Sequence, residues 1–218
     1  MNENAIKQLN PTENRILKQK YSKKFKQYNA NVRANNKEVV FSLSSNWQTK
    51  QPLIKNGLIQ HLYCKLMKIN KKTLEIEIYQ NFINSLPKYA KKENKDIPYE
   101  LEKSFDRINQ TYFSNDMEKP NLKFGTSSTR KLGHYEYQSD TIVISNIFKK
   151  QPELLDFIMY HELLHKKHGL QKSSTGKSYI HHSTQFRKDE RKFQNKNIET
   201  DLKNFIRKHK LKQIFKLS

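Results

Sequence analysis

The chain has 218 residues, 34% of them hydrophobic, and 42 Lys or Arg against 21 Asp or Glu, a net charge of +21. Five Gly, six Pro, one Cys and no apolar run near the roughly 20 residues that cross a bilayer exclude collagen-like, disulfide-stapled and membrane-spanning classes. No apolar stretch follows the amino terminus, so no secretory leader is read and a cytoplasmic protein is expected.

Residues 1–25 are polar and Lys-rich, and are expected to be a basic arm. Tyr28–Ala34 and Glu38–Leu43 read as strands joined at Asn35-Asn36, a hairpin turn. After Pro52, Leu58, Leu62 and Leu66 fall at helical spacing, with Trp47 expected to anchor the hairpin to that helix. Residues 73–90 fit either type: LEIEIY alternates like a strand, while Ile78, Phe82, Ile83 and Leu86 fit a helix. The charged run 91–96 marks a boundary. The expected division is therefore an arm (1–25), a hairpin-plus-helix subdomain (26–95) and a second domain (96–218) ending in a basic helix. That second domain opens with a helix from Pro98, followed by strands at Leu122–Phe124, 134–138 and 140–145. Pro152 and Gly169 bracket a further helix of about 17 residues. No internal repeat is apparent. The fold class is α+β, a small three-stranded sheet packed on the 152–168 helix.

That helix carries His161-Glu162-Leu163-Leu164-His165. Imidazoles four positions apart share one helix face and can grip one Zn²⁺, while the Glu beside the first reaches a metal-bound water. A shuffled chain of this composition would hold on the order of 0.02 copies of HExxH. A catalytic zinc takes a third protein ligand. His182, at the start of a helix capped by Ser183, is the preferred candidate. His181, His168 (one turn too far along the helix), Glu190 and Glu199 are the alternatives. His61, His134 and His209 read as surface or packed residues, and Cys64 as an inert buried thiol.

HExxH followed after a loop by His182-Ser183-Thr184-Gln185-Phe186 resembles the SprT-like metallopeptidases, which include Spartan, and the related YgjP-type proteins. Phe113, Lys123-Phe124-Gly125, Leu132-Gly133-His134-Tyr135 and Thr141–Ser145 are similar to the helix and three-stranded sheet of that group. The resemblance covers about residues 97–192, and 28–68 is more weakly similar to the amino-terminal part of YgjP-type proteins. It implies a zincin-like fold with His161, His165 and His182 as metal ligands and Glu162 as the catalytic base. The chain lacks the cysteine zinc ribbon that many members carry.

The expected activity is a zinc-dependent endopeptidase in which Glu162 accepts a proton from water as the scissile carbonyl is attacked. Tyr135, Tyr179 and His181 are candidate donors to the oxyanion, and residues 133–138 the edge strand on which a protein or peptide substrate pairs. Basic groups outnumber acidic ones 16 to five over residues 1–90, 11 to nine over 91–150 and 15 to seven over 151–218. That field makes DNA or RNA an expected partner of the Lys-rich termini, and proteins near nucleic acid the expected substrates. Arg is scarce, seven of the 42 basic residues, which argues against base-specific reading. The rival readings are a nucleic-acid-binding module with a structural zinc, and a scaffold on which basic ends hold a partner.

Overall fold

The computed structural model describes residues 3–25, 27–90, 96–169, 171–172, 179–180 and 182–214. They form two compact units, Met1–Leu86 with Lys172–Tyr179, and Pro87–Gln171 with Ile180–Ser218. The division falls at Leu86–Pro87, and residues 91–95 of the charged run lie outside the described residues. No helix among the described residues is long and apolar enough to cross a membrane.

The first unit runs α1 (Asn4–Lys7), β1 (Ile16–Ser22), β2 (Ala30–Ala34), β3 (Glu38–Ser44), a 3-10 turn (Ser45–Trp47), α2 (Pro52–Met67) and α3 (Leu74–Ser85). The predicted hairpin forms as β2–β3, with Val32 opposite Phe41. Asn35 Oδ1 closes its turn by accepting from the N–H groups of Lys37 and Glu38 at 2.9 and 2.8 Å. Residues 3–22, expected to belong to an arm, are built into this unit instead. β1 joins the sheet parallel to β3, Ile6 is fully buried, and the Gln60 amide donates to the Ala5 carbonyl at 3.0 Å. The strand was hidden because its alternate positions are lysines that face water. Residues 74–85 resolve as a helix: Thr73 accepts from the Ile76 N–H, and Ile76, Gln80 and Ile83 are buried at helical spacing. Trp47 is fully buried among Tyr28, Tyr79 and Phe82, so it anchors the hairpin to α3.

The second unit runs α4 (Tyr99–Phe113), β4 (Asn121–Gly125), β5 (Gly133–Glu136), β6 (Thr141–Ser145), a 3-10 turn (Asn146–Phe148), α5 (Pro152–His168), α6 (Thr184–Glu190) and α7 (Ile198–Ile214). A short ladder pairs Gln171–Lys172 with Tyr179–Ile180. β6 is central, parallel to β4 and antiparallel to the edge strand β5. The apolar face of α5 (Leu154, Leu155, Phe157, Ile158, Leu163, Leu164) packs with Ile142 and Ile144 of β6 and with Leu101, Phe105 and Ile108 of α4. The α+β arrangement of a three-stranded sheet on the HExxH helix is thus observed.

Both sheets have the same plan. In each, the first strand lies parallel to the third, the second lies antiparallel on the other side, and the third feeds a 3-10 turn and then a helix that begins with Pro. Within that helix the two units align at a constant offset of 100 residues. Leu58, Ile59, Gln60, Tyr63 and Cys64 are buried in α2, and Ile158, Met159, Tyr160, Leu163 and Leu164 in α5. The repeat absent from the sequence reading is present in the structure. Few residues carry it by identity (Lys50, Gln51, Pro52 and His61 match Lys150, Gln151, Pro152 and His161), and most of it is burial rhythm.

Candidate metal centre and active site

α5 presents His161 and His165 on one face, one turn apart, as the spacing requires. The third imidazole arrives with α6. Ser183 caps that helix by accepting from the Phe186 N–H at 3.2 Å, which fixes His182 just outside its first turn. The centroids of the three rings lie 4.9, 5.0 and 5.1 Å apart, and one nitrogen of each lies within 4.8 Å of the others. Nε2 of His165 and Nε2 of His182 face each other at 3.3 Å.

Beneath the three rings lies Phe186, 1% exposed, with centroid distances of 5.3, 4.7 and 4.7 Å to His161, His165 and His182. In the sequence Phe186 stands out only as part of the His182–Phe186 motif. Its place four positions after His182, on the buried face of a short helix, was the available signal. α6 is itself docked by the Tyr160 hydroxyl, which donates to the Asp189 carbonyl at 2.6 Å.

Glu190 is not a fourth member of the triad. It pairs with His161 Nδ1 at 2.6 Å, and that bond holds its carboxyl below the usual range. Burial alone would lower the His161 pKa, but the Glu190 bond and the neighbouring carboxylates raise it. An imidazole whose Nδ1 is held by a carboxylate has its tautomer and orientation set for metal ligation through Nε2. His168 lies elsewhere, pairing with Asp189 at 3.0 Å. His181 lies outside the described residues, as does the side chain of Tyr179. Three imidazoles with convergent nitrogens and a carboxylate behind one of them fit a divalent transition ion by donor chemistry.

Glu162 is 4% exposed, and burial pushes its carboxyl up to about 7, against the opposing influence of His161. The Tyr135 N–H on β5 donates to it. Space for it depends on Gly133, where a Cβ would come within 2.8 Å of both Glu162 Oε1 and Ile158 Cγ2. Tyr135 is not an oxyanion donor, because its buried hydroxyl donates to Asp140 Oδ1 at 2.7 Å. The nearby Tyr137 hydroxyl donates to the His165 carbonyl at 2.9 Å. His134 pairs with Glu136 at 3.2 Å.

Two cavities open at the site. One of 520 Å³ takes in His161, Glu162, Leu132, Gly133, Ile158 and Leu202. The other, of 680 Å³, takes in His182, Glu190, Arg187 and Arg191. Phe157, Glu190, Glu199 and Lys203 line both, so Glu199 lines the cleft and is not part of the histidine cluster.

No family model matches the chain, and no curated protein matches it. Among solved structures it is similar to the metallopeptidase zymogen jannalysin of Methanocaldococcus jannaschii, at 23% identity and a TM-score of 0.35, over 54% of this chain and 97% of that one.

Proposed function

We propose that the chain is a zinc-dependent metallopeptidase of the SprT-like type, with His161, His165 and His182 holding the ion and Glu162 as the general base. The observation that carries the reading is the buried Glu162 carboxyl, set beside three convergent imidazoles on the wall of an open cleft. Held there, zinc supplies Lewis-acid polarisation of a carbonyl and a water acidified to near neutrality. The Glu162 carboxyl would accept the proton from the attacking water and return it to the leaving amine. Gly133 keeps that carboxyl unobstructed, and Glu190 holds the His161 ring. The outer edge of β5 borders Glu162 and suits an extended peptide added as a further strand. Leu132, Ile158 and Leu202 offer apolar surface to a substrate side chain. The +21 charge supports acidic or nucleic-acid-associated proteins as substrates.

The test is Glu162→Gln beside His182→Ala, assayed for zinc content and for casein and histone cleavage with and without single-stranded DNA. The first variant should keep one zinc per chain and lose about a thousandfold in cleavage, and the second should lose the zinc as well. Undiminished cleavage by Glu162→Gln overturns the mechanism.

A further inference from the structure

The repeat extends past the helix that bears the histidines, into the element that follows it. α6 begins at a Ser183 cap that accepts from the Phe186 N–H at 3.2 Å, and α3 begins at a Thr73 cap that accepts from the Ile76 N–H at 3.2 Å. The exposure of 182–187 and 72–77 agrees at five of six positions, with Phe186 and Ile76 buried alike; beyond them the next buried residue is Asp189, three after Phe186, in one and Gln80, four after Ile76, in the other. In both units residue 60 or 160 ties its helix to this element: Thr73 donates to the Gln60 amide oxygen, and Tyr160 donates to the Asp189 carbonyl.

Superposed in this way, His161, His165 and His182 correspond to His61, Lys65 and Lys72. Glu162 corresponds to Leu62, Phe186 to Ile76 and Glu190 to Gln80. The correspondence is spatial as well as sequential, because His61, Lys65, Lys72, Ile76 and Gln80 all line one cavity of 170 Å³. Cys64, Lys68, Ile69, Asn70 and Lys71 complete its wall. Among the described residues four lysines and no carboxylate line it, the Lys71 ammonium donating to the Gln8 carbonyl.

We propose that the first unit is a degenerate copy of the second, in which the metal position has become a pocket for a phosphate group. Two of three ligands have been exchanged for lysine, whose ammonium brings to the spot the positive charge that an ion brings to the other unit. Lysine is a compact point charge suited to phosphate. The three further lysines, Lys65, Lys68 and Lys72, suit a dianion better than the single charge of a carboxylate. The amino-terminal end of the 12-residue α3, directly after Lys72, adds its partial positive charge. Leu62 stands where the proton-accepting carboxyl would be, so this pocket binds and does not hydrolyse. The inference uses the geometry of the triad and does not require that the second unit cleave peptides.

The test titrates the full chain with inorganic phosphate, followed by ³¹P line broadening and calorimetry, in the parent, in Lys65→Gln/Lys72→Gln and in the control Lys18→Gln/Lys20→Gln. Lys65 and Lys72 are exposed, so the double variant should keep the parent's circular dichroism and melting point. The parent and the control should bind alike, and Lys65→Gln/Lys72→Gln at least tenfold more weakly. A phosphoserine peptide and its unphosphorylated form distinguish the source. Tighter binding of the phosphopeptide than of free phosphate, lost in the same variant, assigns a protein-borne phosphate. Equal binding assigns a small molecule. Absence of phosphate binding by the parent at millimolar concentration, or equal binding by Lys65→Gln/Lys72→Gln, overturns the proposal. So does a His161→Ala/His165→Ala chain that retains a zinc ion on the first unit. Peptidase activity enters none of these readouts, so the two readings fail independently.

Discussion

The two units share a strand order and a helix register, and differ at the positions where chemistry would occur. At offset 100, Gly57 stands where Phe157 does. A Cβ on Gly57 would fall 1.9 Å from the Glu75 carbonyl oxygen, so α2 and α3 meet backbone to backbone. The Phe157 ring instead packs edge-on against Phe193 at 5.2 Å and lines two cavities. On the edge strands, Ala30 pairs with Leu43 and Gly133 with Ile144, equivalent places in the two registers. The unit that carries Glu162 has the glycine, and the unit that carries Leu62 has a methyl there. One plan thus yields a cleft with a buried carboxyl or a closed helix pair with a basic pocket, through exchanges at a few positions on shared faces.

The sharpest way to break this comparison is to treat both copies alike. Glu162→Gln should remove about three orders of magnitude of peptide cleavage, whereas Leu62→Gln should leave the rate unchanged, measured on the same substrate. Next, Gly133→Ala should push Glu162 aside and lower kcat by about ten- to a hundredfold with zinc retained, while Ala30→Gly leaves kcat at the parent value. Gly57→Ala should destabilise the first unit by about 3 kcal/mol through overpacking against Glu75, seen as an earlier calorimetric transition with the zinc content intact.

The smallest effect concerns Asp189. Burial alone would raise its pKa, but hydrogen bonds from Lys192 and Lys167 outweigh burial and hold it at about 2. A carboxyl depressed in the fold and near its ordinary value of about 3.9 when unfolded stabilises at neutral pH, and that contribution fades as pH falls toward 2. Asp189→Asn should therefore lower Tm by a few degrees at pH 7 (on the order of 1 kcal/mol or less), with the gap closing between about pH 4 and 2. A gap that persists at pH 2 would falsify this account.

What could be read in the sequence was what local chemistry dictates. Pro152 and Gly169 bracketed α5, the HExxH spacing put His161 and His165 on one face, and the β-branched run at 141–145 marked the central strand. Ser183 as a cap marked the start of α6 and hence the place of His182. What escaped reading depends on partners distant in the chain. β1 gains its identity from a parallel pairing with β3 across 22 positions, and its lysines disguise it. The alternation of LEIEIY imitates a strand until Thr73 caps it and its neighbours bury Ile76 and Gln80. Tyr135 sits on the edge strand whose N–H meets Glu162, yet its hydroxyl is taken by Asp140. The repeat itself rests on burial and register, which substitution preserves while erasing identity.

One ring under three imidazoles makes the centre easy to lose and hard to regain. Phe186 touches all three rings, so Phe186→Ala would withdraw packing from His161, His165 and His182 together. Rebuilding it in the other unit would demand His at 65 and 72 and a flat aromatic in place of Ile76, with no benefit until all were present. A centre supported in this way would decay as a ratchet turns, lost by one exchange and regained only by several.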